Sequence, residues 1–200
     1  MTADERRQSP REDPRPLIGE PLCLDLLNTR WRSVEGPHDL LDSVNGLFVW
    51  LRSTGLHHRV TADQPTLEAL LDVRDALLEL VEEGITPTAM AALDRTLRHG
   101  CVRRSLGPDG ALETVEADDP AHLAAWLAAD DYLRLLGWAP TRIRRCAHPD
   151  CVLYFYDVSK NGTRRWCSMT GCGNRAKASR HYARHRHEPQ TDPGPEPPAS

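Results

Sequence analysis

Four of the six cysteines in this chain fall into two equally spaced pairs, Cys146-Ala-His-Pro-Asp-Cys151 and Cys167-Ser-Met-Thr-Gly-Cys172, fifteen residues apart. A turn of four intervening residues can bring both sulfurs of a pair onto one ion. Four thiolates complete the tetrahedral shell of Zn²⁺ and leave no position for water or substrate, so the chemistry expected is structural. Cys146, Cys151, Cys167 and Cys172 are thus the expected ligands of one zinc ion. The competing assignment is four buried or disulfide-bonded cysteines. The N-terminus, Met1-Thr-Ala-Asp-Glu-Arg-Arg, carries charge where a signal peptide needs an apolar stretch, so a reducing, cytoplasmic setting is expected and lasting disulfides are not. His148 could replace a sulfur, but four cysteines leave it a loop residue.

The ligands need elements to hold them. Val152-Leu-Tyr-Phe-Tyr156 is strand-forming, Ser159-Lys-Asn-Gly162 supplies a turn, and Thr163-Arg-Arg-Trp166 can return to the metal. From Gly173 onward the pattern is helical. About 46 residues bury too little apolar area to be stable alone, and metal binding supplies the deficit. Tyr154, Phe155, Tyr156 and Trp166 read as a small core, with stacking on bases as the alternative. Lys177, Arg180 and Arg184 recur along one helix face. Arg175 stands at the helix start, Arg164 and Arg165 on the returning strand, and Arg144 and Arg145 on the entering one. Such groups suit phosphate contacts. Asn174 is either a base reader or a structural amide bonded to the zinc loop.

The stretches Arg144-Arg-Cys, Arg164-Arg-Trp-Cys-Ser-Met and Cys172-Gly-Asn-Arg-Ala-Lys resemble the CGNR zinc-finger family over roughly residues 141–186. Gly19-Glu-Pro-Leu-Cys-Leu-Asp-Leu-Leu-Asn-Thr29 is similar to the opening of the ABATE domain that usually precedes this finger. The resemblance implies a bacterial, stress-related transcription regulator whose C-terminal finger binds DNA.

The rest of the chain reads as helices. Pro21 to Arg32 is expected as the first, with Asp25 and Asn28 close together at helical spacing. With Arg74 they could form a small-ligand pocket, or a capping and helix–helix hydrogen-bond network; Arg74 is a candidate partner for Asp25. Further helices are expected over Asp39–Thr54, from Pro65 to near Gly84, from Thr86-Pro87 to about His99 with Met90, Leu93 and Leu97 inward, and from Asp119-Pro120 to Gly137. Cys101 to Glu116 suggests a β-hairpin turning at Gly107-Pro-Asp-Gly110. Cys23 and Cys101 read as small apolar residues and His57-His58 as a solvated pair. The expected fold is mainly α: a helical domain over 17–138, a treble-clef-like finger of β-hairpin plus helix over 141–187, and disordered tails at 1–16 and 188–200. No long linker separates the two units, so the finger should pack on the helical body.

Hydrophobic residues make up 40% of the chain, enough for a core, and no apolar run approaches the ~20 residues of a membrane span. The net charge of −4 hides a division: residues 141–187 carry +9 and the remainder −13. A basic module on an acidic body suggests that only the module meets a polyanion. The alternative is that the two halves dock electrostatically. The expected function is a DNA-binding regulator with a helical domain for sensing or dimerisation. RNA binding and a protein adaptor with a purely structural zinc module are the other readings. No nucleophile–base constellation or phosphate loop points to an enzyme.

Overall fold

The computed structural model describes residues 13–185, with side chains through Ser179. Helices dominate, accompanied by small antiparallel hairpins. The first helix, α1 (Leu22–Leu27), buries Cys23, Leu24 and Leu26 completely. It stops well short of the expected Arg32. The chain instead turns at Asn28 into a hairpin, β1 (Arg30–Ser33) and β2 (Gly36–Asp39), with Trp31 opposite His38. The Asn28 N–H still bonds the Leu24 carbonyl, but beyond it the hairpin takes over the backbone: the Thr29 carbonyl accepts from the Leu40 N–H at 2.8 Å, and Arg30 lies opposite Asp39.

A 3₁₀ turn over Leu40–Asp42 leads to α2 (Val44–Ser53), capped by the Ser43 hydroxyl, which accepts from the Gly46 N–H. Gly46 is required by close approach: a Cβ there would sit 1.6 Å from the Leu40 carbonyl oxygen. The long helix α3 (Gln64–Glu82) buries Leu67, Leu70, Val73 and Leu77 along one face. Thr86 caps α4 (Pro87–Leu97) through its hydroxyl, with Pro87 at the first position as expected. Met90 is half exposed rather than inward, whereas Leu93 is buried.

The hairpin expected after α4 is present as β3 (Gly100–Gly107) and β4 (Gly110–Ala117), joined by Pro108-Asp109, with Gly107 opposite Gly110. Cys101 on β3, read as a small apolar residue, is exposed. Asp119 caps a short turn that runs into α5 (Leu123–Trp138). This helix lays an alanine-rich face, Ala124, Ala125, Ala128 and Ala129, against α1, α3 and α4. Its Leu133 is exposed.

Residues 13–16 are not a loose tail. Arg15 is buried and donates to the Asp25 carbonyl and carboxylate at 2.8 and 2.6 Å, and to Asp13 at 2.6 Å. Residues 1–12 and 186–200 lie outside the described residues, and with them most of the two expected tails. Among the described residues no helix is long and apolar enough to cross a membrane.

Candidate metal centre and nucleic-acid interface

After α5, a 3₁₀ turn carries the chain into β5 (Ile143–Arg145), which pairs with β6 (Tyr154–Tyr156). Of the expected strand over 152–156, Tyr154–Tyr156 is present, but its partner is upstream. Thr163–Trp166 forms no strand, because its N–H groups go elsewhere. The Asp157 carboxylate accepts from the Arg164 N–H at 2.9 Å, and the Ser159 hydroxyl from the Thr163 N–H at 3.1 Å. Gly162 takes the left-handed conformation (φ 60°) that the Asn-Gly turn was expected to need.

The β5–β6 ladder runs straight into the first cysteine turn. The Cys146 N–H donates to the Leu153 carbonyl at 2.9 Å, and Cys151 N–H closes the turn on His148 at 3.0 Å. The Ala147 N–H bonds the Arg165 carbonyl at 2.9 Å and so draws in the segment carrying the second pair. There, Ser168 caps a wide turn over Met169–Gly173 that delivers Cys172 to the start of α6 (Asn174–His185).

The four cysteine sulfurs lie within 4.8 Å of one another, and all four residues are buried. Cys151 and Cys167 Sγ are 3.8 Å apart, and Cys167 and Cys172 Sγ 3.6 Å. Zn–S bonds of about 2.3 Å place tetrahedral sulfurs about 3.8 Å apart, so the separations are those of co-ligands. They are far too long for a disulfide, which needs about 2.05 Å. The donor set therefore fits one structural zinc. His148 stays in the loop, its Nδ1 facing the Asp150 N–H. Two donors aim at the sulfurs from outside: the Cys167 N–H at Cys146 Sγ (3.4 Å) and Arg175 at Cys172 Sγ (3.0 Å). Such outer partners stabilise thiolates. The hydrogen bond from Cys167 holds the Cys151 thiol below its ordinary range, and the same bond, with burial, pushes Cys167 up.

The finger is tied to the helical body. Asn28, fully buried, donates to the Tyr154 carbonyl at 2.9 Å and accepts from the Tyr154 N–H at 2.8 Å. Glu20 accepts from the Tyr156 N–H at 2.9 Å and pairs with Arg164 at 3.2 Å. The Tyr154 hydroxyl donates to Glu82 at 2.8 Å; burial, and then Glu82, raise its pKa.

A family model described as "CGNR zinc finger" matches residues 142–185, and one described as "ABATE: Putative stress-induced transcription regulator" matches residues 20–138. The chain belongs to the ABATE family. It carries a CGNR zinc finger behind its ABATE domain. No curated protein matches it.

In the CGNR motif of this ABATE protein every side chain or amide near the metal has a local task. Cys172 is a ligand, the Gly173 N–H bonds the Ser168 carbonyl, Asn174 donates to the Thr170 carbonyl at 3.3 Å, and Arg175 donates to Cys172. The basic residues divide into two groups. Arg164 is spent internally: it lies 4.2 Å from the Phe155 ring centroid and donates to the Cys167 carbonyl at 2.6 Å and the Trp166 carbonyl at 3.0 Å. Arg144 is partly held by Thr141 and Asp157, and Arg145 reaches Glu82 at 3.5 Å. Arg165 and Lys177 are exposed, with Arg165 stacked over Trp166. The side chains of Arg180 and Arg184 lie outside the described residues. Phe155 is fully buried in the small core around the cysteines, while Tyr154 joins the core of the ABATE domain.

The three residues expected around a ligand pocket do not converge. Asp25 accepts from Arg15, the Trp50 indole and the Gly19 N–H. Asn28 holds Tyr154. Arg74 pairs not with Asp25 but with Asp39, at 2.7 and 2.9 Å, and with the Thr29 hydroxyl at 2.8 Å. Glu20, Asp157 and Asp39 were not singled out from the sequence. Of these only Asp157 had a local signal, the Asp-x-Ser spacing of a side-chain-capped turn, which forms here with Ser159 at 2.6 Å.

Proposed function

We propose that this ABATE protein is a DNA-binding transcription regulator whose zinc finger makes the DNA contacts and whose helical domain senses a signal or dimerises. The observation that carries the reading is the closed four-sulfur centre at the heart of a +9 module, which is joined to a body of −13. A saturated zinc has no open position for catalysis, so the metal shapes a surface and the chain acts as a binding protein rather than an enzyme.

Arg165 and Lys177 are the described side chains best placed for phosphate, joined by Arg144 at the strand edge and by Arg180 and Arg184 further along α6. Arg164 and Arg175 act on the finger itself, and Asn174 on the zinc loop. A homodimer would double the small footprint of a single finger. The family description, as a stress-induced transcription regulator, supports this reading. Genome-wide capture of bound nucleic acid, compared with a Cys167→Ser variant, tests it. Enrichment of discrete duplex sites that vanish in the variant is expected. Capture of RNA alone, or of nothing, would overturn the proposal.

A further inference from the structure

A cavity of about 500 Å³ opens at the seam between the helical body and the finger. That volume is typical of small-molecule sites, which favour domain boundaries. The body supplies Leu27, Trp31 and Leu78, and the finger supplies Val152 and Tyr154, so the floor is apolar. Trp31 and His38 stack with centroids 5.0 Å apart and planes 13° apart, giving the wall a flat face.

The charged groups around this floor are unbalanced. Arg30, Arg32, Arg74 and Arg145 line the cavity against only Asp39 and Glu82. Arg74 is 1% exposed, and while its two terminal nitrogens are bonded, its buried Nε has no acceptor. A buried unpaired donor on a guanidinium is costly, and here it belongs to a residue of the cavity wall. Arg145, by contrast, reaches Glu82 only at 3.5 Å and is half exposed. The two wall carboxylates would repel an anion carrying several charges.

We propose that the seam cavity binds a small monocarboxylate with a planar, apolar body, its charge set among the arginines and its ring system against Trp31. Of the residues expected to form a pocket, only Arg74 belongs to it. Since both units line the site, an occupant bridges them. The site does not depend on the DNA reading.

The test is calorimetric titration of the zinc-loaded full chain with 2-naphthoate, with no nucleic acid present. Saturable one-to-one binding is expected. Affinity should fall at least tenfold in Arg145→Gln, which alters an exposed side chain, and in Leu78→Trp, which fills the floor. The uncharged 2-naphthalenemethanol and the ringless acetate should each bind at least tenfold more weakly. Absence of saturable binding, equal binding of the alcohol, or unchanged affinity in both variants would overturn the proposal.

Discussion

The Asn28 carboxamide pairs with the backbone of Tyr154 as a neighbouring strand would, donating to its carbonyl at 2.9 Å and accepting from its N–H at 2.8 Å. The contact spans 126 residues and is fully buried on the Asn28 side. It joins the C-terminus of α1 to β6, two elements in different family domains, so the finger's position is set by the body. Asn28→Ala should leave two buried backbone groups unpaired and cost about 2–4 kcal/mol. Urea unfolding measures that loss, and limited proteolysis should cut the finger faster while zinc content stays unchanged. Unaltered stability would mean that the clamp contributes nothing.

The zinc site makes a separate prediction. Cys167→Ser should lose the metal and melt residues 142–185 while α3 and α5 stay folded. Metal analysis and hydrogen exchange check both parts. Zinc competes with protons for thiolates, so affinity should fall as pH drops. Retention of one zinc per chain in the variant would mean the wrong ligand set.

Two adjacent arginines should separate cleanly. Arg164→Gln removes the donor to the carbonyls of Trp166 and Cys167 and should destabilise the finger by about 2 kcal/mol or more. Arg165→Gln alters an exposed side chain and should change stability by less than about 0.5 kcal/mol. Thermal melts of the zinc-loaded proteins would show the difference, and equal shifts would count against the assignment.

Asp39 carries a pH dependence. Burial pushes its carboxyl up, but Arg74, Arg30 and the Leu41 N–H outweigh that and hold it below the ordinary 3.8. A carboxyl whose folded pKa is depressed stabilises the fold above its unfolded value. That contribution is lost as pH falls below 3.8 toward the folded value. Asp39→Asn should cost about 3 kcal/mol at neutral pH, by leaving buried Arg74 without its counter-charge. The gap from the native chain should narrow below about pH 4. Helical circular dichroism in urea across that range measures it; a gap that stays constant would exclude Asp39 as the titrating group.

Local chemistry was readable in the sequence; non-local chemistry was not. Thr86-Pro87 and Asp119-Pro120 start helical segments as expected because a cap is satisfied within three residues. The cysteine spacing revealed the metal site for the same reason. The end of α1 was misplaced because the residues that take up the backbone after it, Asp39 and Leu40, lie further along the chain. The strand at Tyr154–Tyr156 was legible, but its partner was not, since Ile143–Arg145 and Thr163–Trp166 offer similar residues. Asp157, by taking the Arg164 N–H, decides between them. The role of Arg15 was hidden in a stretch whose composition reads as a solvated tail.

The most direct test of the account is titration of duplex DNA with zinc-loaded protein over a range of salt concentrations, native chain against an Arg165→Gln, Lys177→Gln double variant. Binding that weakens steeply with salt is expected, and the double variant should lower the logarithmic salt slope by about 2, one for each phosphate no longer neutralised. Binding absent even at low salt, or an identical slope in the double variant with the finger still folded, would contradict it.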